Sequence, residues 1–112
     1  MDYDLIISGA GPAGLCLARA LSGHGLRLAL VEQQPLAALE NPAFDGREIA
    51  LTQHSAQLMR SLGLWARIDP LALSPLRDAR VMNGPSPCAM VIDQALGRHS
   101  ELGWQVSNHL IR

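Results

Sequence analysis

The stretch Asp4-Leu5-Ile6-Ile7-Ser8-Gly9-Ala10-Gly11-Pro12-Ala13-Gly14, followed further on by Leu26-Arg27-Leu28-Ala29-Leu30-Val31-Glu32, decides how the rest of the chain is read. Leu5, Ile6 and Ile7 stand in series within residues 3–8, which suits a strand covered on both faces of a parallel sheet, where polar and apolar residues need not alternate. From Pro12 to about residue 22, Leu15, Ala18 and Leu21 recur at helical spacing, and Pro12 falls in the first turn, where a missing N–H costs nothing. Gly23 and Gly25 then stop the helix, because glycine takes the left-handed C-terminal conformation without strain. Residues 26–31 read as a second strand. A strand, a helix and a strand in such quick succession form a βαβ unit, and the right-handed crossover makes its strands parallel.

The turn between the first strand and the helix carries the chemistry. Gly9 permits a tight exit from the strand, Gly11 lets a pyrophosphate approach the backbone with no Cβ in the way, and Gly14 lets the helix pack close to the sheet. Ala10, Pro12 and Ala13 complete the loop, and the helix start offers N–H groups and a positive dipole end to phosphate. Glu32 closes the second strand where a carboxylate can accept from both hydroxyls of an adenosine ribose, with Gln33 beside it. Without the glycines Glu32 would be read as an exposed acid at a strand end; with them, the unit is read as a dinucleotide site.

Working outward, residues 33–46 contain Pro35 and Pro42 and no clear period, and read as an irregular excursion over the sheet edge. Residues 47–51 read as a short strand. Residues 55–62 place Ala56, Leu58, Met59 and Leu62 at helical spacing, and one further turn carries Trp65, read as the anchor of this helix, before Pro70. Residues 77–83 and 88–93 read as an antiparallel hairpin across Gly84-Pro85-Ser86-Pro87, in a different sheet from the first pair. Residues 104–107 add a strand, and Asn108 is placed to cap a helix starting at His109. Cys16, Met59, Met82 and Met90 are expected to fill the core.

Composition excludes several classes. The 112 residues fit one compact unit, and 48% hydrophobic with 17% charged residues is the make-up of a folded chain. All nine bases are arginines scattered from Arg19 to Arg112 against ten acids, which argues against a nucleic-acid surface. Cys16 and Cys88 make no disulfide framework, and the four histidines have no metal-binding spacing. These features point to a reducing, cytoplasmic setting. The longest apolar runs are far short of the roughly 20 residues that span a bilayer.

The run of residues 4–14, continuing to Val31-Glu32, resembles the FAD fingerprint of the single-component flavoprotein aromatic hydroxylases. Phe44-Asp45-Gly46-Arg47-Glu48-Ile49-Ala50-Leu51-Thr52, with Ser55 and Leu62-Gly63-Leu64-Trp65 beyond it, is similar to a narrower group, the ubiquinone-biosynthesis hydroxylases. Leu102-Gly103-Trp104 and Asn108-His109-Leu110-Ile111-Arg112 are similar to the same group. The resemblance implies an α/β fold: an N-terminal Rossmann-like βαβ unit for the ADP half of FAD plus a helix (residues 1–75), the start of an antiparallel substrate-domain sheet (76–107), and the start of a helix returning to the FAD domain (108–112).

It also implies roles for two residues outside the glycine loop. Arg47 approaches the flavin nucleotide and Asn108 contacts the cofactor from a helix start, against the plainer readings of a solvated loop arginine and a simple N-cap. The activity implied for the parent enzyme is hydroxylation of the aromatic ring of a polyprenylated ubiquinone precursor with NAD(P)H and dioxygen, and no residue here is expected to act as a catalytic acid or base. Asp45-Gly46 is read as distinct from the family's later Asp-Gly motif, which lies beyond this stretch. The chain is therefore expected to be the N-terminal part of a larger enzyme, needing the remainder of that enzyme and inactive alone. A lipid-tailed substrate adds an expected peripheral contact with the inner membrane. An FAD-linked reductase or oxidase, and a non-catalytic dinucleotide-binding fragment, are the alternatives.

Overall fold

The computed structural model describes residues 2–112. Strands β1 (Leu5–Ser8) and β2 (Leu28–Val31) pair in parallel, Leu5 opposite Leu28 and Ser8 opposite Val31, with helix α1 (Pro12–Leu21) crossing between them. Gly23 and Gly25, at φ +85° and +74°, reverse the chain after α1. Asp4 closes the open end of the pair, accepting from the Arg27 N–H at 2.7 Å and from its guanidinium at 3.1 Å. The strands are not covered on both faces as their run of apolar residues predicted. Only Ile7 is buried, while Ile6 is 64% exposed, because among the described residues α1 is the one helix that crosses between the strands.

The segment read as irregular contains a one-turn helix, α2 (Leu36–Glu40), started by Pro35 at φ −65°. A helix of five residues is too short to show a period. Next come β3 (Glu48–Thr52) and α3 (Gln53–Ser61). α3 starts earlier than its apolar spacing indicated because Thr52 caps it, its hydroxyl accepting from the Ser55 N–H at 3.2 Å. Single 3₁₀ turns at Trp65–Arg67 and Pro70–Ala72 lead into β4 (Ser74–Leu76).

The hairpin β5 (Asp78–Met82) and β6 (Ala89–Asp93) and the strand β7 (Gly103–Ser107) follow. β7 lies between β3 and β4, antiparallel to both, with Glu48 opposite Ser107 and Ser74 opposite Gln105. Gly103 is required there, since a Cβ would lie 2.1 Å from the Leu51 carbonyl oxygen. Trp65 packs edge-on against Trp104 at 5.1 Å with the Arg60 guanidinium over both rings, fixing α3 and its following turn to β7.

Among the described residues the buried hydrophobic ones are few: Ala56 in α3, Ile68 after the 3₁₀ turn that follows it and Val106 in β7, with Ile7 in β1 and Ala10 in the loop after it. Met82 and Met90 do not fill a core; they are 66% and 60% exposed on a hairpin that neither of the other sheets extends. Cys16 is half-buried. The radius of gyration, 17.5 Å, exceeds the roughly 13 Å of a compact chain of about this length, in keeping with a long axis of 59 Å. Among the described residues no helix is long and apolar enough to cross a membrane.

Candidate functional site

The glycine loop is built from backbone requirements. Gly9 has φ +101° and donates its N–H to the Val31 carbonyl at 2.7 Å, so the exit of β1 stays fastened to β2. Gly14 carries the close helix–sheet approach: a Cβ would meet the Gly9 carbonyl oxygen at 2.1 Å. Gly11 is different. Its backbone is extended at φ −73°, ψ 177°, and a Cβ placed on it would meet nothing within 4 Å. Among the described residues no packing demand makes residue 11 a glycine; the free volume lies in front of the start of α1. That start has no capping side chain and no acid in its first turn, leaving N–H groups and the positive dipole end for an anion.

Glu32 fastens the loop from the other side. Its Oε2 accepts from the N–H of fully buried Ala10 at 2.7 Å, and its Oε1 accepts from the N–H groups of Gln33 at 2.7 Å and Gln34 at 3.0 Å. The N–H groups of Gln34 and Ala10, with a lesser contribution from Gln33, hold the Glu32 carboxyl below its ordinary value against the opposing effect of burial. The carboxylate assigned to the ribose therefore also braces the loop, with part of its lone-pair capacity left for a ligand. Arg112 reaches this corner, donating from Nη2 to Oε1 of Gln34 at 3.0 Å.

A second cluster forms around Asp45. Gly46, at φ +71°, turns the chain so that Oδ1 of Asp45 accepts from the Arg47 N–H at 3.0 Å. Oδ2 accepts from Nε of Arg47 at 2.8 Å, from Nη2 of Arg47 at 2.6 Å and from Nδ2 of Asn108 at 2.7 Å. The Arg47 guanidinium, ahead of the other donors, holds Asp45 well below the usual carboxylate range. Arg47 is thus neither wholly solvated nor free. Asn108 does not cap a helix: Ser107 precedes a single 3₁₀ turn, Asn108–Leu110, and Asn108 is its buried first residue. Its N–H donates to the Arg47 carbonyl at 2.9 Å, which leaves the side-chain amide free to bind Asp45.

The turn at residues 108–110 links the clusters, because Leu110, Ile111 and Arg112 line, with Pro12 and Ala13, a largely apolar cavity of about 390 Å³ beside the start of α1. Residues 9–14, Glu32 and Gln33 come together directly, and Arg47 and Asn108 are brought together with each other at Asp45. The sequence reading missed Asp45, Gln34 and Arg112. Asp45 had a signal, the acid–glycine–arginine turn; Gln34 and Arg112 had none.

A family model described as FAD binding domain matches residues 2–106. The chain belongs to this family. It is 46% identical over its whole length to the ubiquinone hydroxylase UbiM of Neisseria meningitidis serogroup C, of which the match covers 25%. The ubiquinone hydroxylase UbiL of Rhodospirillum rubrum is 31% identical over 97% of this chain and 25% of its own. The ubiquinone biosynthesis monooxygenase COQ6 of Xenopus tropicalis is 31% identical over 97% of this chain and 24% of its own. The chain thus spans about a quarter of the length of these curated relatives.

Proposed function

We propose that this chain holds the ADP half of FAD for a monooxygenase that hydroxylates the aromatic ring of a polyprenylated ubiquinone precursor. The observation that carries the binding reading is Gly11, whose missing Cβ leaves open space at an uncapped helix start beside Glu32. The names of three relatives supply the substrate class. FAD, when bound, supplies the redox chemistry by which NAD(P)H and dioxygen deliver one oxygen atom to the ring. The residues here bind and orient. The loop at residues 9–14 receives the pyrophosphate, the remaining lone pairs of Glu32 with the neighbouring Gln33 take the ribose, and Arg47 and Asn108 stand toward the nucleotide. No side chain in this stretch is assigned a proton transfer.

In this reading residues 1–75 are a Rossmann-like unit, 76–107 begin the substrate domain and 108–112 return to the FAD domain. The rest of the enzyme covers the exposed apolar faces of β1 and β2, and the lipid tail of the substrate brings the protein to the inner membrane surface. The test is the full-length protein supplied with FAD, NAD(P)H, labelled dioxygen and a polyprenylated phenol. One labelled oxygen atom in the product is expected, together with substrate-stimulated NAD(P)H oxidation. NAD(P)H oxidation with no label in the product would make the protein a reductase or oxidase, and absence of flavin binding would remove the reading entirely.

A further inference from the structure

We propose that Asp45 is the positioning residue of this site, clamping the Arg47 guanidinium by one edge so that its opposite edge is presented to the flavin nucleotide. The inference rests on the flavin reading above for Arg47. Arg47 spends Nε and one Nη2 proton on Oδ2 of Asp45, and among the described residues no other acceptor takes its remaining donors. An arginine has several rotatable bonds, and an unheld one pays for ordering when its ligand binds. Here the ordering precedes the ligand. The same carboxylate binds the buried Asn108 amide, and the Asn108 N–H binds the Arg47 carbonyl, so the loop at 45–47 and the turn at 108–110 are fastened together at two points.

The clamp also changes what Arg47 offers. Paired with Asp45 it is close to neutral overall, so it recognises by directed hydrogen bonds more than by net charge. A purely structural Asp45 would fasten the two segments without affecting how Arg47 meets a ligand. The two roles separate in a double-mutant cycle on FAD affinity in the full-length protein, using Asp45→Asn, Arg47→Ala and the double variant, with thermal unfolding recorded for each.

Asp45→Asn should weaken FAD binding about tenfold and make it more sensitive to salt, because the arginine charge is then unbalanced. In the Arg47→Ala background the same change should have no further effect. Equal weakening in both backgrounds would make Asp45 structural only and overturn the proposal. An Arg47→Ala variant that binds FAD normally would overturn the flavin contact itself, whereas Arg47→Ala weakened with Asp45→Asn unaffected would overturn only the clamp. If Asp45→Asn does not fold, Asp45→Glu keeps the charge and displaces the arginine. It should lose affinity at unchanged salt sensitivity, and full affinity in Asp45→Glu would contradict the clamp.

Discussion

The glycine loop and the Asp45 cluster are made of different materials. The loop is backbone: Gly9 at positive φ, Gly14 against a carbonyl oxygen, Gly11 facing open space, with a single carboxylate, Glu32, bracing it through main-chain N–H groups. The Asp45 cluster is mostly side chain, an ion pair and an amide drawn together from positions 45, 47 and 108. The difference teaches where robustness sits. A backbone cradle tolerates most neighbours and fails sharply at a few glycines, whereas a side-chain cluster loses function by degrees and responds to salt and acid.

The sharpest break is expected at Gly14. Gly14→Ala places a methyl group into the Gly9 carbonyl, which is main chain and cannot step aside, and should cost about 3 kcal/mol of stability. Urea unfolding of the purified protein reads this directly; an unchanged midpoint would mean that α1 does not pack as described.

Glu32→Gln comes next. The amide keeps the shape of the brace from Ala10, Gln33 and Gln34 but weakens the charge-assisted bonds that the remaining lone pairs offer to the ribose hydroxyls, and should lower FAD affinity about tenfold, read by titration calorimetry. Unchanged affinity would confine Glu32 to bracing the loop.

The two clusters share one weakness, acid. Glu32 and Asp45 are both more acidic in the folded chain than their ordinary values of 4.5 and 3.8, so on acidification the unfolded chain takes up protons first. Their stabilising contribution is complete above about pH 5 and is lost as pH falls below those ordinary values toward the lower folded ones. Urea midpoints measured from pH 6 downward should fall over that range, and the fall should be shallower in Asp45→Asn. A midpoint that stays level across the range would contradict both assignments.

How much of this was legible in the sequence follows the same division. A glycine announces a backbone conformation wherever it sits, so the loop, the parallel strands around it and the hairpin turn at Gly84 could be read from neighbouring residues. Glu32 was legible as an acid at a strand end, though its bond to Ala10 across 22 positions was not. Asp45 and Asn108 are 63 positions apart, and nothing local to either signals the other; Asn108 therefore read as a cap. α2 escaped because one turn carries no period, and Met82 and Met90 are exposed against expectation because an apolar residue in a strand does not say whether anything covers it. On that account Met90→Thr should have the smallest effect of all, within about 0.5 kcal/mol in the same unfolding assay. A large loss there would show that the hairpin is covered.

The central claim is that the space in front of Gly11 belongs to a cofactor and not to the protein. The Cβ of Gly11→Val enters that space with no described atom within 4 Å, so the variant should unfold close to the wild-type urea midpoint, and its circular dichroism should be unchanged. Flavin absorbance of the purified full-length protein after incubation with FAD is the deciding measurement. The account predicts a yellow wild type and a folded, colourless Gly11→Val protein; a variant that retains full flavin occupancy would contradict it.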